Sequence, residues 1–185
     1  MSIYSRRGFA LGALATTTLA ACGNGIGSRG GDRIDSRVNT TLTFMYDRYP
    51  GTRDLADKAS GMLVMPLVTE AGFGFGGSYG RGALRIGDST VDYYAIAGGS
   101  AGLQVGAQQY SHVLFFMTDE ALMEFRTSPG WALGADAEYA VSREGGNLRA
   151  ETTTSLAPVI AVIFAQAGLR VGATLEGTKY TRIIP

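Results

Sequence analysis

A few residues in this chain have the types and spacing that chemistry requires. Cys22 is the one cysteine, and it ends the run Leu19-Ala20-Ala21-Cys22. Arg6 and Arg7 precede the uncharged stretch Gly8–Ala21, which is shorter than the roughly 20 apolar residues that span a bilayer. A basic start, a short apolar run and a closing cysteine have the form of an export signal with a lipobox, whose thiol is acylated. Ser5-Arg6-Arg7-Gly8-Phe9 has the form of a twin-arginine signal, the route for folded proteins. Gly98-Gly99-Ser100-Ala101-Gly102 fits the nucleophile elbow of serine hydrolases. That elbow needs a strand, a sharp turn and a helix. The stretch after it alternates like a strand, and the only histidine, His112, follows with no acid between. A hydrolase using Ser100 is therefore the remote reading. Gly72-Phe73-Gly74-Phe75-Gly76-Gly77 fits G-x-G-x-x-G, with Asp92 twenty residues after Gly72. A dinucleotide site needs a helix to follow, and SYGRGALRIGD carries no helical stripe. Both glycine motifs are expected to be parts of strands and turns.

Composition removes other classes. The 185 residues carry 16 basic and 16 acidic side chains, so no basic excess exists for a nucleic-acid partner. One Cys and one His leave neither a disulfide framework nor a structural zinc site. No cofactor motif stands up, so none is expected. Residues 1–21 are expected to be the signal peptide, 22–32 a lipidated Gly-rich tether, and 33–185 one domain. Gly23 after the cysteine, where Asp would favour inner-membrane retention, points to the outer membrane of a bacterial cell envelope, facing the periplasm.

The elements follow from hydrophobic period. Ile34, Val38, Leu42, Met45 and Tyr49 make one helical stripe over 33–49, expected to pack on a core. Thr52 is expected to cap a short helix over 53–60. From Gly61 the period becomes strand-like, with the apolar run Met62–Met65 and alternation at Leu103–Ala107 and Val113–Met117. Thr118 caps one further short helix, stopped by Pro129-Gly130. Later strands are expected at 137–143, 147–155, 158–165 and 169–176, and Glu176 is expected to pin a turn. Twenty-seven glycines, many at alternate strand positions, imply strong curvature. The expected class is α+β: N-terminal helices, then a Gly-rich, mostly antiparallel sheet curved toward a barrel, with one short helix.

Gly61-Met-Leu-Val-Met-Pro66 followed by Ala71-Gly-Phe-Gly-Phe-Gly-Gly-Ser78-Tyr-Gly80 resembles the SYLF family. Gly102-Leu-Gln-Val-Gly106-Ala, Leu133-Gly-Ala-Asp136 and Gly168-Leu-Arg-Val-Gly-Ala-Thr-Leu-Glu176-Gly177 extend the resemblance over about 33–185. Where that family often carries Lys, this chain has Leu67 and Glu70. The resemblance implies non-catalytic binding of phospholipid or phosphoinositide-type headgroups at a membrane surface. The alternative is an envelope scaffold that binds a protein partner. The candidate contacts are Arg33 and Arg37 near the tether, with Phe73, Phe75, Tyr79, Arg81 and Arg85 on the Gly-rich strands.

Overall fold

The computed structural model describes residues 28–73, 75–101, 106–132, 139–142, 157–164, 175 and 178–185. Cys22, Glu176 and the strand expected over 147–155 lie outside them, as does 169–176 apart from Leu175.

Two helices come first: α1 is Gly30–Arg48 and α2 is Gly51–Lys58. α1 begins three residues earlier than its apolar stripe, inside the expected tether. Ser28 explains this: its Oγ accepts from the Gly30 N–H (3.1 Å) and donates to the Pro185 carbonyl (2.9 Å). Arg29 holds the N-cap position without a side-chain cap bond, so this one hydroxyl satisfies the first N–H of the helix and ties it to Pro185. Asp32 in the first turn and Arg48 in the last suit the helix dipole. Thr52 does not cap α2. Pro50 takes the cap position, because its fixed φ suits a helix start, and Thr52 donates its hydroxyl proton to the Tyr49 carbonyl (2.7 Å).

The strands are β1 Gly61–Phe73, β2 Phe75–Ile86, β3 Ser89–Ala101 and β4 Gly106–Phe116. After helix α3, Asp119–Thr127, come β5 Trp131–Ala132, β6 Tyr139–Ser142, β7 Val159–Phe164 and β8 Lys179–Ile183. They form one eight-stranded sheet in the order β5-β8-β3-β2-β1-β4-β7-β6. Every pairing is antiparallel except β6 with β7. Thr118 caps α3 as its sequence implies, accepting from the Ala121 N–H (3.2 Å). β5 and β8 are additions to the expected set. One is two residues long, and the other, KYTRI, lacks a clean apolar alternation.

The sheet is a half-barrel, and one contact proves its curvature. Tyr180 on β8 and His112 on β4 stand four strand steps apart, about 19 Å along the sheet. Yet the Tyr180 hydroxyl lies 2.9 Å from His112 Nε2. Only a sheet bent back on itself lets these side chains meet across its hollow.

Each face carries a core. β7 reads the division directly: Val159, Ala161 and Ile163 enter the inner core, while Ile160, Val162 and Phe164 enter the outer one. The inner core holds Leu63, Leu84, Tyr94, Phe116, Phe125, Trp131 and Tyr180 under α3. The outer core packs Ile34, Val38 and Met45 of α1 and Leu55 of α2 on Val64, Ala83, Val113 and Phe115. The α1 stripe is therefore core-facing.

A bulge at Met65-Pro66-Leu67 changes the parity of β1. Before it, odd-numbered Leu63 and Met65 face inward; after it, even-numbered Val68 does. Pro66 has no N–H to leave unpaired, and its carbonyl accepts from the buried Ser111 hydroxyl (2.7 Å). Opposite the bulge, glycine is required on the inner face. A Cβ at Gly80 would lie 2.8 Å from the Leu67 carbonyl oxygen, and one at Gly82 would collide with that of Val64.

Candidate functional site

The parity change creates a groove. With Val68 turned inward, Leu67 and Thr69 face the α1 side together with Tyr79 and Arg81 of β2, their register partners. The N-terminal turns of α1 pass over this face. The groove between them has a volume of about 300 Å³ and is lined by Arg33, Ile34 and Arg37 of α1, Pro66, Leu67 and Thr69 of β1, and Tyr79 and Arg81 of β2. Its floor is apolar and its rim carries three guanidinium groups.

Local structure aims those groups. Ile34 and Val38 are buried, so the neighbouring Arg33 and Arg37 stand one helical turn apart at the exposed margin. Like charges at that spacing oppose helix stability by a few tenths of a kcal/mol, roughly 0.2–0.5. The acid between them offers no relief in the groove. Asp35 points to β3, where it accepts from Thr90 (2.8 Å) and Tyr93 (2.8 Å). Burial, then the hydrogen bond to Asp35, push the Tyr93 phenol up to about 12, so it stays a donor. Neither Arg33 nor Arg37 makes an ion pair among the described residues. Arg81 Nε donates to the Tyr79 hydroxyl (2.6 Å), and its guanidinium lies 5.9 Å from that ring's centroid. Tyr79 is 54% exposed, a large aromatic left at the surface.

Of the residues expected to touch ligand, the fold brings Arg33, Arg37, Tyr79 and Arg81 together. Arg85 is not among them. It is bound by Asn39 Oδ1 (2.6 Å) and the Asp88 carbonyl (2.7 Å), with Asp35 4.0 Å away, and it serves as a strut between α1 and the β2–β3 turn. Positions 73 and 75 pair across the tip of the β1–β2 hairpin, on the same sheet face as 79 and 81 by register. The floor residues Ile34, Pro66 and Leu67 escape a sequence reading, because their meeting depends on the bulge. Leu67 occupies a position where the family resemblance leads one to expect Lys.

The elbow motif resolves differently. Ser100 lies within β3, opposite Gly76, and β4 begins at Gly106. His112 lies on β4, fully buried, with its Nε2 engaged by Tyr180. The 72–77 glycine motif is the β1–β2 hairpin. Among the described residues no cluster of His, Cys, Asp and Glu could hold a metal, and no helix is long and apolar enough to cross a membrane.

Residues 97–182 match the family model Ysc84, whose description is Las17-binding protein actin regulator. This stretch is similar to the SYLF family that the sequence resembles. The match takes in the end of β3, β4, α3 and β5–β8 and therefore most of the inner core. The SYLF match begins after the groove, whose lining residues all lie between Gly30 and Arg81. No curated protein matches the chain.

Proposed function

We propose that this SYLF-domain protein is a non-catalytic, membrane-attached lipoprotein that holds the phosphate of an anionic phospholipid headgroup in the α1/β1/β2 groove. The observation that carries the reading is the convergence of Arg33, Arg37 and Arg81 over an apolar floor. Arginine is the side chain suited to phosphate, since its planar fork donates in pairs. Ile34, Pro66 and Leu67 would meet the glycerol and upper acyl carbons, and Tyr79 would serve as an interfacial aromatic. Cys22 would carry the lipid anchor, and a tether only a few residues long would keep the groove at the surface. The envelope location and the twin-arginine route belong to the same proposal.

The test is cosedimentation with neutral and anionic phospholipid vesicles. An arginine near an anionic surface contributes about 1 kcal/mol, so Arg33→Gln with Arg37→Gln should weaken anionic-vesicle binding about thirtyfold. The remaining binding should be less salt-sensitive. Equal binding by wild type and the double variant would reject the groove. Wild-type binding to neither vesicle would move the function to a protein partner.

A further inference from the structure

A second hollow lies farther along α1. It has a volume of about 250 Å³ and is lined, among the described residues, by Thr40, Thr41 and Phe44 of α1 and Phe164 of β7. Arg33, Arg37, Thr41 and Phe44 recur at steps of four, four and three, so the hollow and the groove share one flank of the helix. The Phe44 and Phe164 rings stack with centroids 6.0 Å apart, and Tyr49 sets a third ring against Phe164. Two hydroxyls border the hollow. Thr40 donates its proton to the Ser36 carbonyl one turn back (2.9 Å), as Thr43 does to that of Asn39 (3.0 Å). Thr41 does not. Only 3% of it is exposed, and its Oγ1 is buried with no hydrogen-bond partner. A buried hydroxyl left unpaired costs free energy, which an acceptor bound in the hollow would offset. Apolar walls with one placed polar group are the make-up of a small-molecule site.

Hollow and groove follow one another on both walls. Arg37 lines the groove and Thr41 the hollow, about 6 Å apart along the helix axis. On the sheet, Pro66 of the groove accepts from Ser111, and Ser111 is the register partner of Phe164 in the hollow. The path crosses β2, β1, β4 and β7, a span of about 14 Å, basic at one end and apolar at the other. We infer that the two form one seat for a single-chain glycerophospholipid. Its phosphate lies among Arg33, Arg37 and Arg81, its ester carbonyl accepts from the Thr41 hydroxyl, and its acyl chain lies against Phe44 and Phe164. The inference rests on the groove reading and extends it from a headgroup to a whole lipid. Spacing selects this ligand, because a glycerol backbone sets its ester carbonyl about as far from its phosphate as Thr41 stands from Arg37. A hollow of about 250 Å³ has room for one chain and not for two.

Calorimetry on the full chain carrying Cys22→Ser tests this with lysophosphatidylglycerols below their micelle concentration. Affinity should rise about fourfold for each added methylene and level off once the hollow is full. Thr40→Trp, at an exposed position on the rim, should fill the hollow and cancel that gain. Thr41→Val should melt no lower than wild type, since it removes an unpaired hydroxyl. It should nonetheless bind the ester lipid about two- to twelvefold more weakly. The ether analogue has no carbonyl and should bind wild type and Thr41→Val alike. Equal losses for ester and ether, or affinity independent of chain length, would overturn the proposal. Two simpler probes separate its failure from that of the groove. If soluble glycerophosphate binds and needs Arg33 and Arg37, while chain length changes nothing, the groove stands and the seat is removed. If uncharged monoacylglycerol shows the chain-length gain, and Arg33→Gln with Arg37→Gln leaves lysolipid binding unchanged, the groove reading fails and the single seat with it. Binding confined to concentrations above the micelle threshold would also reject the seat.

Discussion

The fold forbids ionisation of His112 over a wide range. It is fully buried against the rings of Tyr110 and Tyr180, and burial lowers its pKa from 6.5 to about 3. The unfolded chain takes up this proton near pH 6.5 and the folded chain only near pH 3. Acid therefore favours unfolding throughout that window, and stability present at neutral pH is lost as pH falls. The full effect is of order 4–5 kcal/mol. Urea midpoints measured at pH 7 and pH 4 should fall for wild type and fall less for His112→Gln. Equal falls would show that other groups carry the acid response. The hydrogen bond is a separate matter. Tyr180→Phe leaves the imidazole in place without its partner and should cost about 1–3 kcal/mol at pH 7.

At the scale of elements, the β1 bulge decides more than any helix. It turns Leu67 toward α1, and the strand opposite answers with glycines. Gly82→Ala should destabilise by about 1–3 kcal/mol or more, because its methyl meets backbone at Val64 rather than a side chain that can move. Gly99→Ala, with nothing within 4 Å of its Cβ, should be near neutral in the same thermal melt. If the two variants melt together, the bulge packing is looser than drawn. The chain announces some of this. The α1 stripe at Ile34, Val38 and Met45, the Thr118 cap and the glycine-driven curvature all follow from local period and local chemistry. The bulge does not, since no single residue marks a change of parity; it is visible only once Pro66 is seen with Ser111. β8 is hidden for a similar reason. Its one buried side chain, Tyr180, belongs to a contact with a residue 68 positions away. Arg33, Arg37 and Arg81 are legible as residue types, but their meeting requires α1 to cross the β1–β2 hairpin.

For the whole molecule, the proposed anchor has a direct readout. Cys22→Ala should release the chain from the membrane fraction into the soluble one, as lipidated chains hold a protein at the bilayer by about 0.8 kcal/mol per methylene. A variant that stays with the membrane would place the attachment in the groove instead. Arg6→Lys with Arg7→Lys should block export if the folded route is used, and unchanged export would remove that route.

The strand order carries a last consequence, for the time course of folding. β8 is the final strand in the chain, yet it lies between β3 and β5, not at the rim. β7 joins the opposite flank of the β3-β2-β1-β4 unit, a Greek-key order in which β4 returns to lie beside β1. While the chain is being made, the four-strand unit therefore waits with both flanks open. β5 has no seat until residues 179–183 leave the ribosome. Completion of the sheet waits for β8 by topology, and the Tyr180–His112 contact waits with it. A ribosome-stalled chain ending before Lys179 should expose Trp131, and its emission should turn blue only when β8 is supplied.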